Sequence, residues 1–259
     1  MKVALVGYGK MGHMIARAAE LRGHTIVCTV DLFAEDAQCV TSDKKEMVAA
    51  IAASGAEGII EFSHPASVMD NLVALIPTKL PLVVGTTGWR DHLEDVEKLV
   101  HDNKSALLYS ANFSVGVNLF YRIVSYASRL MADFDEYDAA VFEAHHNQKA
   151  DSPSGTGIDI AKHIIENLPR KKTIITELGS RKILPEELQV SSLRVGSVTG
   201  THSVIFDSPA DTIELTHRAR NREGFALGAV RALEWLAAPE AGQGPKTGLF
   251  SMDDIFDSL

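Results

Sequence analysis

The chain has 259 residues, 46% of them hydrophobic, and a formal net charge of −9, enough apolar sequence for one large core or two modest ones. The acidic balance leaves no basic stretch to offset phosphate repulsion, so nucleic acid and membrane surfaces are excluded as partners; small molecules and further copies of the chain are expected. Cys28 and Cys39 lack metal-type spacing, no run reaches about 18 apolar residues, and the opening lacks the features of a signal peptide. Reduced thiols and a cytoplasmic location are therefore expected.

Taken in chain order, apolar runs alternate with amphipathic stretches. Strands are expected at residues 3–6, 26–30, 59–62, 80–84 and 106–109, and helices at 11–21, 44–53, 66–76, 91–103 and 117–131. This rhythm predicts parallel βαβ units and an open, doubly wound sheet up to about residue 112. Beyond Asp138 one helix, 157–168, is flanked by strand-like runs at 139–144, 174–177, 189–195, 203–206 and 212–216, the pattern of an antiparallel or mixed sheet. One covering helix leaves a face for another subunit. The last helix, 225–237, is followed by the loop PEAGQGPKTG, and Leu249, Phe250 and Ile255 are expected to pack back on the first domain. The fold class is thus α/β, a Rossmann-type doubly wound parallel sheet followed by an α+β domain on an open mixed sheet. The expected division is a dinucleotide-binding domain at 1–112, completed by 226–259, and a substrate-binding and oligomerisation domain at 113–225.

Gly7, Gly9 and Gly12 form GxGxxG between the first strand and the first helix. The first glycine permits a tight turn, the second lets the backbone approach a pyrophosphate, and the third lets helix and strand pack closely; the helix N-terminus offers N–H groups to the anion. Asp31 closes the second strand 19 residues after Gly12, placed to accept hydrogen bonds from the adenosine ribose. Leu32 and Phe33, rather than Arg, follow it, which favours NADH; Lys10 in the loop keeps NADPH open. Ligands sit at the carboxyl edge of such sheets, so Phe62-Ser63, Gly85-Thr86-Thr87 and Ser110-Ala111-Asn112-Phe113 are further candidates, with plain turn chemistry as the other reading.

The densest chemistry lies in residues 143–156, EAHHNQKADSPSGT. His145, His146, Lys149 and a Ser154-Gly155-Thr156 turn opening a helix can protonate a carbon and hold carboxylates. Consecutive strand residues point to opposite faces, so both histidines reach one centre only if the chain bends. A histidine near its ordinary pKa of about 6.5 suits the proton transfer. Glu143, His145, His146 and Asp151 lack HExxH spacing and a third histidine close by, so no metal is expected. His202 and His217 read as structural or rim residues.

In VGYGKMG, GTTGW, SANFSVGVN, EAHHNQKADSPSGT, THS, ELTHRA and FALGAVRALEWL, in this order over nearly the whole length, the chain resembles the dihydrodipicolinate reductase family of lysine biosynthesis. The resemblance implies hydride transfer from NAD(P)H, with loss of water, to the cyclic imine formed from pyruvate and aspartate semialdehyde, giving tetrahydrodipicolinate. It implies His145 as proton donor and Lys149 as second donor or orienting cation. His146, Gly155 and Thr156 would bind the carboxylates of a small dicarboxylate substrate. Cofactor contacts would fall on Gly7, Tyr8, Gly9, Lys10, Met11, Gly12, Asp31, Gly85, Thr86, Thr87, Ser110, Ala111, Asn112 and Phe113. It also implies a homotetramer formed through the second domain's sheet. Many relatives carry Arg after the acid where this chain has Leu32, and the stretch between Asp31 and Ile59 is shorter than in longer relatives, so the third strand of the first sheet is expected to be reduced or missing. Another Rossmann-fold amino-acid or aldehyde dehydrogenase, or a non-catalytic dinucleotide sensor, are the alternatives.

Overall fold

The computed structural model describes residues 1–239 and 245–258. In chain order it contains β1 (Lys2–Val6), α1 (Lys10–Leu21), β2 (Thr25–Asp31), β3 (Cys39–Val40), α2 (Lys44–Ser54), β4 (Gly58–Glu61), α3 (Val68–Leu75), β5 (Leu82–Val84), α4 (Leu93–Asn103), β6 (Ala106–Tyr109) and α5 (Val115–Met131). It continues with β7 (Asp138–His145), α6 (Gly155–Asn167), β8 (Thr173–Ile175), β9 (Glu187–Arg194), β10 (Thr201–Asp207), β11 (Thr212–Arg218), α7 (Glu223–Ala237), β12 (Gly248–Ser251) and α8 (Met252–Asp257). The chain divides into two compact units, Met1–Val115 with Glu223–Leu259, and Gly116–Arg222.

The first unit holds a seven-stranded sheet in the order β12-β6-β5-β4-β1-β2-β3, parallel at every pairing. Alternate residues of β1 enter two different cores. Val3 and Leu5 pack with Ile15, Ala19, Val230 and Leu233 of α1 and α7, whereas Ala4 and Val6 pack with Met47, Ile51, Leu72, Leu75, Val96 and Val100 of α2, α3 and α4. Burial on both faces is why these strands read as unbroken apolar runs, each large side chain contributing roughly 1.5–3 kcal/mol. Asp43 accepts a hydrogen bond from Lys45 N and starts α2, and Gly55, at φ 67°, ends it.

Two details lie at this sheet's edges. The segment after Asp31 yields only the two-residue β3, a reduced third strand. Leu249 and Phe250 do more than pack: they belong to β12, a seventh strand running parallel to β6. Its four residues are too few to show periodicity. The expected loop at 239–248 includes residues 240–244, which lie outside the described residues. Both cysteines are free, and no described helix is long and apolar enough to cross a membrane.

The second unit holds a mixed five-stranded sheet, β11-β10-β7-β9-β8. β10 pairs antiparallel with β7 and β11, while β9 runs parallel to β7 and β8. Two helices cover one face, where a single one was expected: Phe120 and Val124 of α5 join Ile160, Ala161 and Ile164 of α6 over Val141, Val190, Val204 and Phe206. The opposite face carries Phe142 in register with Ser191 and Ser203, and both helices of the unit lie away from it. Leu119, Ile123, Tyr126 and Leu130 form an exposed apolar stripe on α5.

Candidate active site

The glycine loop performs the geometry its spacing requires. Gly7 has φ 95°, and a Cβ there would fall 2.2 Å from the Phe62 carbonyl oxygen, so only glycine lets the ends of β1 and β4 meet. A Cβ at Gly12 would lie 2.4 Å from the Gly7 carbonyl oxygen, whereas one at Gly9 would meet nothing within 4 Å. Gly9 therefore borders open space, at the N-cap of a helix with no side-chain cap, where free N–H groups suit a pyrophosphate. Tyr8, Lys10 and Met11 belong to the same loop and first turn, with Tyr8 stacked on His13 at 4.2 Å.

Asp31 ends β2 beside this loop. Its carboxylate accepts from Tyr8 N at 2.6 Å, Phe33 N at 2.8 Å and Ala34 N at 2.9 Å. Burial works against the charge, but these backbone donors outweigh it and hold the group below the ordinary carboxylate range. With one or more lone-pair positions to spare, the anion can still accept from a ribose hydroxyl.

The adjacency of β6, β5, β4, β1 and β2 brings the other candidates to the same carboxyl edge. Gly85 donates to the Glu61 carbonyl and leaves room for the Phe62 ring, which a Cβ would strike. Thr86 is buried and Thr87 exposed. The Ser110 hydroxyl donates to the Asn112 carbonyl and accepts from the Asn112 N–H, Ala111 is exposed, and the Phe113 ring is in the core, which leaves that side chain unavailable to a ligand. Glu61, missed in the sequence, lies fully buried at the end of β4. It accepts from Asn71 Nδ2 at 3.0 Å and from Ser63, and burial pushes its pKa up.

In the second unit, β7 ends at His145. Lys149 N donates to the His146 carbonyl, a tight turn that supplies the required bend and returns Lys149 toward the strand end. Lys149 Nζ pairs with Asp151 at 2.7 Å, and Asp151 also accepts from the Gly155 N–H. Asp151 thus occupies both the Lys149 ammonium and a first-turn amide of α6. Ser154 caps α6 by accepting from Gly157 N at 3.1 Å, which places Gly155 and Thr156 in the first turn; the Thr156 hydroxyl donates to the Tyr121 hydroxyl oxygen. His146 is half-buried outside the strand.

His145 is 7% exposed and does not keep its ordinary pKa. Burial pushes it down to about 4; the Glu143 charge opposes this, and His202, Lys149 and Arg194 add to it. His202, read from sequence as structural, lies with its ring 5.0 Å from that of His145. His217 is paired with His202 in the register of β10 and β11, with its ring 6.0 Å from that of Phe120. From sequence Glu143 is weighed only as a metal ligand and Arg194 not at all, although Glu143 precedes His145 by two positions on one strand and so must share its face.

The patterns described as "Dihydrodipicolinate reductase, N-terminus" and "Dihydrodipicolinate reductase, C-terminus" match residues 1–113 and 116–256. A 4-hydroxy-tetrahydrodipicolinate reductase of Christiangramia forsetii is 35% identical over 259 residues, covering 100% of this chain and 99% of the relative. One of Archaeoglobus fulgidus is 35% identical, covering 99% of this chain and 100% of the relative. A dipicolinate-bound dihydrodipicolinate reductase from Paenisporosarcina sp. TG-14 shares the fold, with a TM-score of 0.74 at 21% identity and 97% of each chain covered. Matched from end to end by both patterns and by these relatives, the chain belongs to the dihydrodipicolinate reductase family.

Proposed function

We infer that the chain is a 4-hydroxy-tetrahydrodipicolinate reductase, an NAD(P)H-dependent oxidoreductase of the diaminopimelate and lysine route that yields tetrahydrodipicolinate. The observation that carries the mechanism is the β7–α6 connection, which gathers His145, Lys149 and the first turn of α6 within the second unit. The first unit is read as the dinucleotide-binding domain and the second as the substrate-binding and oligomerisation domain. The glycine loop and Asp31, at the carboxyl edge of the parallel sheet, would hold a reduced nicotinamide dinucleotide, which would supply the hydride.

His145 gives a proton to the carbon next to the one reduced. A dianionic substrate beside the ring acts in the same direction as Glu143, drawing the histidine's pKa upward from its value in the free protein. Lys149 leaves Asp151 for a substrate carboxylate, and His146, Gly155 and Thr156 hold the carboxylates, aided by the α6 dipole at about 0.3–1 kcal/mol. Among the cofactors NADH is favoured, because the charged Asp31, followed by Leu32, repels a 2′-phosphate. Other copies of the chain cover the free sheet face in a homotetramer, which light scattering of the purified protein tests.

The deciding experiment is oxidation of NADH and NADPH by purified protein, with substrate generated in place from pyruvate and aspartate semialdehyde by the synthase that joins them. Turnover that depends on the synthase supports the reading. Cofactor binding without turnover returns the sensor alternative.

A further inference from the structure

Glu143 is fully buried yet charged, its pKa held below the ordinary carboxylate range: burial opposes the charge, but His202, Ser154 and Arg194 outweigh it. The sheet itself sets its surroundings. In register, Ser192 of β9 lies on one side of Glu143, His202 of β10 on the other, and Arg194 is paired with His145. Oε1 accepts from Ser154 N at 2.9 Å, Ser192 Oγ at 3.0 Å and Arg194 Nη2 at 3.0 Å. Oε2 accepts from the Ser154 hydroxyl and faces His202 Nε2 at 3.5 Å and His145 Nδ1 at 3.6 Å. Arg194 also donates to the Asp151 carbonyl, which fastens the loop bearing Lys149.

Two glycines maintain this arrangement. A Cβ at Gly157 would come within 2.9 Å of Glu143 Oε2, and one at Gly200 within 3.1 Å of His145 Nε2. The second leaves Nε2 uncrowded. Nδ1 of His145 makes no hydrogen bond among the described residues, and Oε2 is the anion nearest it.

We propose that Glu143 is a positioning residue: its buried carboxylate keeps a proton on Nδ1 of His145, leaving Nε2 to give up the transferred proton, and through Ser154 and Arg194 the same carboxylate fixes the carboxylate-binding turn. This rests on the reading of His145 as the proton donor. An anion costs several kcal/mol to bury and survives only with such a set of donors, which accounts for the four groups converging on it. The charge balance at His145 is set by one anion, Glu143, against His202, Lys149 and Arg194. Removing the anion makes the imidazolium harder to form; removing Arg194 makes it easier.

The test is the pH profile of kcat for wild type, Glu143→Gln and Arg194→Met, with the cofactor KM followed throughout. Loss of the His145 proton sets the basic limb. Glu143→Gln is expected to move that limb to lower pH by about one unit, a roughly tenfold fall in kcat along the limb, with the NADH KM unchanged. Arg194→Met is expected to move it upward, a contrast of sign that general loosening of the structure does not produce. Ser192→Ala, which removes one hydrogen bond and no charge, serves as control and leaves the limb in place. Nitrogen-15 NMR of wild-type imidazoles at pH 8 gives an answer even if a variant fails to fold: His145 is expected as the Nδ1–H tautomer. An unmoved limb in Glu143→Gln, equal shifts in both variants, or the Nε2–H tautomer overturns the proposal. Undiminished turnover in His145→Gln would instead remove the reading beneath it.

Discussion

The two candidate regions are built from different materials. At the carboxyl edge of the parallel sheet the backbone does most of the work: Gly7 and Gly12 are defined by what a Cβ would strike, Gly9 by the space it leaves, and Asp31 by three backbone N–H groups. At the end of β7 the work is done by charged side chains, with one buried carboxylate shared among Ser154, Ser192 and Arg194. A backbone site suits a task that is the same in every turnover, the holding of a pyrophosphate. A charged cluster suits a task in which a proton must be kept at one atom and released at another. The contrast implies that damage to the first region should appear in cofactor affinity, and damage to the second in turnover and its pH dependence.

The sharpest way to break this contrast is Gly7→Ala. A Cβ 2.2 Å from a carbonyl oxygen at φ 95° cannot be relieved by a rotamer change, and the strain alone costs about 1–3 kcal/mol. NADH affinity is expected to fall on the order of 100-fold, with a lower Tm; titration calorimetry and a melt read both, and a Kd within twofold of wild type would remove the loop from the cofactor site. A smaller effect comes from Asp31→Ser combined with Leu32→Arg, which exchanges an anion for a cation beside the 2′ position. The ratio of kcat/KM for NADPH to that for NADH should rise at least about tenfold, and a constant ratio contradicts the role given to that strand end.

Smallest is the effect of Asp151→Asn, which frees Lys149 from an exposed ion pair. Such pairs contribute about 0–1 kcal/mol, so the substrate KM should fall by about two- to fivefold while NADH affinity stays constant. A raised KM would mean that Asp151 orients Lys149 rather than competing with substrate.

Legibility in the sequence follows the same division. Gly12, Asp31 and the alternation of strands and helices can be read because the Gly7 carbonyl and the Tyr8 N–H that they meet lie within one βαβ unit and the constraint is local. The β12 strand could not be read: GLFS is four residues long and follows a Pro/Gly-rich loop. The role of His202 was hidden for another reason, since Glu143, Arg194 and His202 meet only through the register of β7 with β9 and β10. Glu143 alone gave a local signal, two positions before His145 on a strand. The pKa of His145 could not be anticipated either, because it depends on burial and on the charges of Glu143, His202, Lys149 and Arg194 that the fold gathers near the ring.

The division of labour is tested most directly by measuring NADH affinity and kcat side by side for wild type and His145→Gln. The account predicts an unchanged NADH Kd with kcat reduced by about 100-fold or more, the usual effect of removing a general acid. Full turnover in the variant would contradict it, as would a loss confined to NADH binding.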